Sequence, residues 1–325
     1  MMDPLASKKL PLRTIGFWLI LLILLAFSPA IVSLPIAVDV LIFGLLALSF
    51  NLMFGYVGLL SFGHAAYFGL GAYSAGLILK YLDIPLTVGW VVIPIGALIA
   101  ALGALCIGAI VVRRTIAYFA LGTLAFGQVL YYIILQLRDT TGGSDGLYGI
   151  PRPLIGGIFS DPIKLSSLQF FYVIFFVFII AIVIMRIILN SPFGRSAVAV
   201  RENEERARFL GYNCYRIKLT MFTISGFFSG LAGTLYVVFN AYVGVDSVTW
   251  YLSGEIVFMS LLGGTGVFWG PLVGAFVYIM LKWWVSAYIY HWPLVVGALF
   301  AVIVLWFREG ILGTTLYLWR RRFGT

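Results

Sequence analysis

Long apolar runs make up most of the chain, at residues 15–32, 35–54, 62–82, 87–112, 116–137, 168–189, 218–240, 252–268, 270–289 and 294–307. Each is long enough, or nearly so, to cross a bilayer as an α-helix, which takes roughly 20 apolar residues and satisfies its own backbone polar groups. The run at 294–307 is short but extends back through Trp292. Glycine blurs the boundaries near 54–64 and 262–271, which read as partly re-entrant. The expected fold class is all-α: a polytopic transmembrane helical bundle of about ten spans, one domain over residues 1–325, with a broken or re-entrant element near 54–64.

Composition excludes the alternatives. The chain is 62% apolar and 10% charged, against roughly 45–50% and 25% in a soluble domain. Thirty-three charged residues cannot cover the surface of a soluble enzyme of this length. The 27 Phe, 18 Tyr and 9 Trp exclude disordered and fibrous classes.

The formal charge of +9 is a matter of placement. With the N-terminus inside and ten alternating spans, 16 of the 21 basic residues fall on the inner side, among them Lys8, Lys9, Arg13, Arg113, Arg114, Arg201, Arg206, Arg208 and Arg320 to Arg322. That bias places both termini in the cytoplasm. It also makes the basic balance a topology signal and not a nucleic-acid footprint. The first run resembles a signal peptide, but Ser28-Pro29-Ala30 is a poor cleavage site, and it reads as an uncleaved helix. Cys106 and Cys214 are too few for a disulfide framework and read as free thiols.

Two polar segments emerge, 138–167 outside and 190–217 inside, neither able to bury a core of its own. In the inner one, Pro192 and Gly194 break the preceding helix. Asn203 suits an N-cap, Glu204 and Glu205 the first turn, Arg206 and Arg208 the last, and Gly211 the C′ stop. This is a short helix shown to the cytoplasm. By composition alone the favoured reading is a solvated loop helix with no partner, over a docking element.

Gly226 with Gly230, and Gly270 with Gly274, have the spacing that lets helices approach closely in lipid. Gly55, Gly58 and Gly63 are too dense for a plain helix. They suit either a broken element lining a cavity or tight packing alone. The stretches 55–63 and 263–270 look alike, as in a parallel repeat. Gly69-x-Gly71 lacks the strand–helix context of a dinucleotide loop. Ionisable residues inside spans are Asp39, His64, Glu255 and Lys282. His64 is placed to hydrogen-bond backbone groups freed by the break. Asp39 and Glu255 either line a path or pair with polar neighbours, and Lys282 snorkels outward. No phosphate loop, metal-ligand spacing or calcium loop occurs, so no metal or cofactor is expected in this chain.

Family motifs lie on the same residues. Glu205-Arg206-Ala207, three residues, then Gly211 resembles the Glu-Ala-Ala…Gly coupling loop of ABC importer permeases, with Arg206 in place of the middle alanine. Asn51 to Tyr73 (NLMFGYVGLLSFGHAAYFGLGAY), Tyr118 to Phe126 (YFALGTLAF), Thr141 to Pro151 (TGGSDGLYGIP), Ser196 to Gly211, and Leu262 to Pro271 (LGGTGVFWGP) resemble branched-chain amino-acid permeases in order and spacing. The external TGG…G…GIP stretch is similar to that of the M-type subunit.

The resemblance implies a multi-pass permease of the bacterial inner membrane, in contact with lipid and without enzymatic chemistry. It implies a homologous second permease, two ATP-binding subunits that carry ATP and magnesium, and an external substrate-binding protein. Transport would be inward by ATP-driven alternating access, of branched-chain amino acids or related small polar solutes such as urea and amides. Coupling to the ATPase would fall to Glu204, Glu205, Ala207, Leu210 and Gly211. The translocation path would draw on Asp39, Asn51, Gly58, Ser61, Gly63, His64, Gln128 and Glu255, and binding-protein contact on Thr141, Gly142, Gly143 and Asp145. The rival readings are a self-contained proton-coupled secondary transporter, with Asp39 or Glu255 carrying the proton, and a membrane enzyme using His64 and Glu255. The enzyme reading lacks a nucleophile–base constellation.

Overall fold

A computed structural model describes residues 25–82, 85, 89–114, 116–154, 165–306 and 310–315. Most of the first apolar run, the basic residues before it, Arg308 and Arg320 to Arg322 lie outside the described residues.

The apolar runs and the polar segment 190–217 become helices: α1 Leu34–Phe54, α2 His64–Tyr81, α3 Val92–Val111, α4 Ile116–Gln136, α5 Ser167–Asn190, α6 Pro192–Glu202, α7 Glu204–Phe209, α8 Cys214–Asn240, α9 Trp250–Gly263, α10 Gly270–Tyr288 and α11 Trp292–Trp306. A two-residue antiparallel pair, β1 Leu147–Tyr148 with β2 Tyr242–Val243, joins Leu147 to Val243 and Tyr148 to Tyr242. The protein is thus an all-α, multi-pass membrane protein. Among the described residues, six helices are long and apolar enough to cross a bilayer: α1, α3 with its preceding turn from Gly89, α4, α5, α8 and α10. α2 has 18 residues, many of them Gly, Ala, Ser or Tyr, and is mostly buried. α9 has 14 residues and α11 has 15, fewer than the roughly 20 a perpendicular span requires.

The chain forms two compact units, Met1–Leu48 with Ser166–Arg186 and Phe258–Thr325, and Ser49–Leu165 with Ile187–Val257. α1, α5 and α9 contribute residues to both.

In the first unit, α10 packs on the end of α9. A side chain on Gly274 would overlap the carbonyl of Met259, and one on Gly270 the carbonyl of Gly264. The expected glycine pair therefore works as a close-approach surface. The rings of Phe258 and Phe300 lie 4.1 Å apart. Lys282 sits 5.1 Å over the ring of Trp292, and Arg186 lies 5.2 Å over Phe268.

The second unit is organised by α8, which packs along both α2 and α3. A Cβ on Gly226 would overlap Ala104, one on Gly230 would overlap Ala100, and one on Gly233 the carbonyl of Phe68. Gly71 of α2 faces the backbone of Gly230 in the same way. The helices touch backbone to backbone, so Phe222, Phe228 and Phe119 pack around the contact while small residues form it.

Gly230→Leu should force α3 and α8 apart, at a cost at or above the usual ~1–3 kcal/mol of overpacking. Gly254→Ala, inside α9 and with nothing within 4 Å of the new carbon, should keep or raise stability, since alanine is the better helix former. Thermal unfolding of the detergent-solubilised variants distinguishes them. Equal melting temperatures would remove the close-contact account.

Candidate functional site

The polar segment 190–217 folds as two helices, one more than expected. Ser191 accepts a hydrogen bond from the Gly194 N–H at 3.3 Å, and Pro192 is the first helical residue. Proline belongs at that position because its missing N–H has no helical partner there and its φ is already set. The Ser-Pro pair read as a helix breaker therefore starts α6. Asn203 caps α7 by accepting from the Arg206 N–H at 2.8 Å. Gly211, at φ +87°, ends it: the Tyr212 N–H reaches the Ala207 carbonyl at 3.1 Å and the Gly211 N–H the Arg208 carbonyl at 3.0 Å. Those two bonds define a Schellman ending, whose glycine occupies the left-handed region.

The face α7 presents differs from the expected one. Ala207 is 2% exposed and points into the chain, while Leu210 is 72% and Phe209 91% exposed. Ala207 and Leu210 do not share a docking face, because helical spacing ends at the Leu210 turn. The apolar pair on offer is Phe209–Leu210, and Phe209 was absent from the candidates because it follows Arg208 in a charged stretch. Glu205 is exposed. Glu204 is partly committed within the chain, 2.5 Å from Lys218 and 3.5 Å from Arg208.

Between α1 and α2 the chain is irregular over residues 55–63, with Gly58 at φ +81°. Three N–H groups at the end of the break and the start of α2 are taken by hydroxyls. Gly63 donates to Ser61 at 3.3 Å, Phe62 to Thr123 at 3.2 Å and Ala65 to Ser253 at 3.1 Å. His64 does not serve these groups, contrary to expectation. Its Nε2 meets the Ser225 hydroxyl at 2.7 Å, while that hydroxyl donates its one proton to the Ser49 carbonyl at 2.6 Å. Nε2 is therefore the donor, and the ring is in the Nε2–H form. Ser49 and Ser229 share a further bond of 2.8 Å. Among the described residues, the Asn51 amide and His64 Nδ1 are buried without a hydrogen-bond partner. Such a group costs about 1–3 kcal/mol when it is left unpaired.

The structure thus brings Asn51, Ser61, Gly63 and His64 together near the break, with Ser49, Ser225 and Ser229 as members the sequence did not single out. Their signal was faint, because a serine in an apolar run looks neutral until its partner is known. Asp39 belongs to the first unit, half-buried and within electrostatic reach of Lys282. Glu255 is buried on α9. Gln128 lies on the side of α4 that also presents Val129, Tyr132 and Ile133, away from the cluster.

At the other end of α8, the segment after α4 turns through Gly142 and Gly143, both with positive φ. Thr141 is buried, its hydroxyl sharing one proton between the carbonyls of Ile134 at 2.6 Å and Leu137 at 2.7 Å, and Gly143 is buried beneath Arg138. Both are turn-builders and not contact residues, since their surfaces are consumed by their own turn. Asp145 is exposed, and its carbonyl accepts from Tyr242 at 3.3 Å. Gly142 is half-exposed.

A family model described as branched-chain amino acid transport system, permease component, matches residues 32–307. The chain belongs to this family. The permease is 30% identical over 321 residues to the high-affinity branched-chain amino acid transport system permease protein LivM of Escherichia coli strain K12, covering 92% of this chain and 75% of the relative. It is 25% identical over 294 residues to the LivH permease protein of the same organism, covering 83% and 91%. Ribose import permease protein RbsC of Haemophilus influenzae is 27% identical over 219 residues, covering 64% of this chain and 62% of the relative. The permease is of the M type. No solved structure matches it.

The α7 ending makes a local test. A β-branched residue in the left-handed region costs roughly 1–2 kcal/mol, and nothing lies within 4 Å of a Cβ at Gly211, so strain alone acts there. Gly211→Val should raise trypsin cleavage at Arg206 and Arg208 about tenfold in membranes, whereas Gly211→Asn should stay near the parent. Equal cleavage of all three would exclude the capping account.

Proposed function

We propose that the chain is one permease subunit of an ABC importer, carrying branched-chain amino acids or related small polar solutes inward by ATP-driven alternating access. One observation supports the reading above the rest. A doubly capped helix, α7, offers Phe209 and Leu210 to solvent at the start of α8, and the external turn with Asp145 packs beside β2 just beyond the end of α8. With 27 residues, α8 separates them by about 40 Å, enough to set one on each side of a bilayer.

On this reading the chain crosses the bacterial inner membrane about ten times with both termini in the cytoplasm. α7 docks on one of two ATP-binding subunits, which bind ATP and magnesium. A homologous permease of the LivH kind completes the membrane part, and an external binding protein delivers substrate to the end that carries Asp145. Glu205, Phe209 and Leu210 form the docking face, and Gly211 holds its shape. Asn51 and His64 are the polar groups of the path.

Two measurements test this. Cysteines placed at 145 and 205 should react with an impermeant thiol reagent in intact cells only at 145. Outside labelling of 205 would invert the topology and refute the docking role. In a complex reconstituted with ATPase and binding-protein partners, Phe209→Ser with Leu210→Ser should insert normally. If both side chains are buried on docking, at about 1.5–3 kcal/mol each, pull-down of the ATPase should drop more than tenfold. Unchanged pull-down and uptake would show that this turn is not the transmission element.

A further inference from the structure

The end of α1 is closed by an unusual set of partners. The Gly55 N–H donates to the Asn51 carbonyl at 2.8 Å, and the N–H groups of Val57 and Leu59 both donate to the Met53 carbonyl at 3.1 Å. The Gly55 carbonyl lies beyond this ladder, and the guanidinium of Arg201, near the end of α6, donates to it. A cation there also faces the negative end of the α1 dipole. Arg201 further lies along Gly58, where an added Cβ would stand 3.1 Å from its Cγ. Three residues on, Glu204 grips Lys218 of α8 at 2.5 Å, and Lys218 is 6% exposed. The short stretch 201–204 is therefore pinned on one side to the α1–α2 break and on the other to α8.

We propose that Arg201 is a positioning residue, which transmits displacement of the α6–α7 turn to the α1–α2 break through its bond to the Gly55 carbonyl. The break carries Asn51 on one flank and His64 on the other, so moving Gly55 moves two of the buried side chains that, among the described residues, hold a polar atom without a hydrogen-bond partner. The Glu204–Lys218 pair keeps α7 seated on α8 meanwhile, so a push on α7 reaches the break through Arg201 and is not dissipated in the loop. The proposal rests on the coupling role assigned to α7.

The test uses the full reconstituted complex with Arg201→Gln and Arg201→Lys. Gln loses the charge and the reach, and Lys retains both with one donor group. Subunit pull-down and basal ATP hydrolysis should stay near the parent's in both. Stimulation of hydrolysis by substrate-loaded binding protein, and substrate moved per ATP, should fall about tenfold in Arg201→Gln, the scale of one hydrogen bond to a charged group, and should recover largely in Arg201→Lys. Stimulation unchanged in Arg201→Gln overturns the proposal. So does loss of assembly and basal rate in step with stimulation, which would make Arg201 a structural prop. A parent complex without any substrate-stimulated hydrolysis would instead remove the underlying reading, a result distinguishable from a coupled parent with indifferent variants.

Discussion

Backbone-to-backbone contact between α8 and its two neighbours is the constraint on which the second unit depends. Lipid is as apolar as leucine, so helices gain little there by hiding side chains and associate through close approach. Gly226, Gly230 and Gly233 give α8 a surface without side chains, set against Ala100 and Ala104 of α3 and the backbone of α2. At that separation a polar atom on α8 must find a partner on the helix it touches. Ser225 and Ser229, which lie among these glycines, accordingly bond to His64 and Ser49.

The break between α1 and α2 is sustained by the same economy. Nine residues leave the helical ladder, and in a low-dielectric interior each orphaned N–H must be met. The Asn51 and Met53 carbonyls take Gly55, Val57 and Leu59, and the hydroxyls of Ser61, Thr123 and Ser253 take Gly63, Phe62 and Ala65. Gly63 has no side chain because the Thr123 carbonyl already occupies that space. Irregular backbone at this place is thus over-determined by its surroundings, which is how such an element persists in a membrane protein.

Apolar run length was enough to locate most helices. The runs at 35–54, 116–137, 168–189 and 270–289 match α1, α4, α5 and α10 to within a residue or so at each end. It failed where structure is decided by something other than hydropathy. α8 begins four residues before its apolar run because Asn213 caps a polar first turn. The run at 252–268 stops early because Gly264, at φ +100°, turns the chain inside an apolar stretch. α6 went unread because Ser191-Pro192 is a helix start and a helix stop in the same two letters. For the site, caps and left-handed glycines were legible, since they depend on neighbours in sequence. The serine network was not, because its members are 161 to 180 residues apart.

The difference between these two kinds of feature bears on how the permease would work. Elements legible in sequence, such as α7 with its caps at Asn203 and Gly211, are stable by local chemistry and can move as units. Elements fixed only by distant partners, such as the 55–63 break, change shape when any partner shifts. Joining one of each kind gives a rigid handle on a responsive segment. Lys218, Ser225 and Ser229 lie seven and four residues apart, which puts them on one face of α8. The same rod that holds the handle at Glu204 therefore holds the polar network at His64 and Ser49. α8 has no proline between Cys214 and Asn240, so no kink of the usual cause decouples its two ends. On the proposed coupling role, a displacement at the α6–α7 turn has two routes to the buried polar groups: along α8 as a body, and across Arg201 to the break. The first acts directly on Ser225, which α8 carries. The second acts on the break, at whose end His64 begins α2.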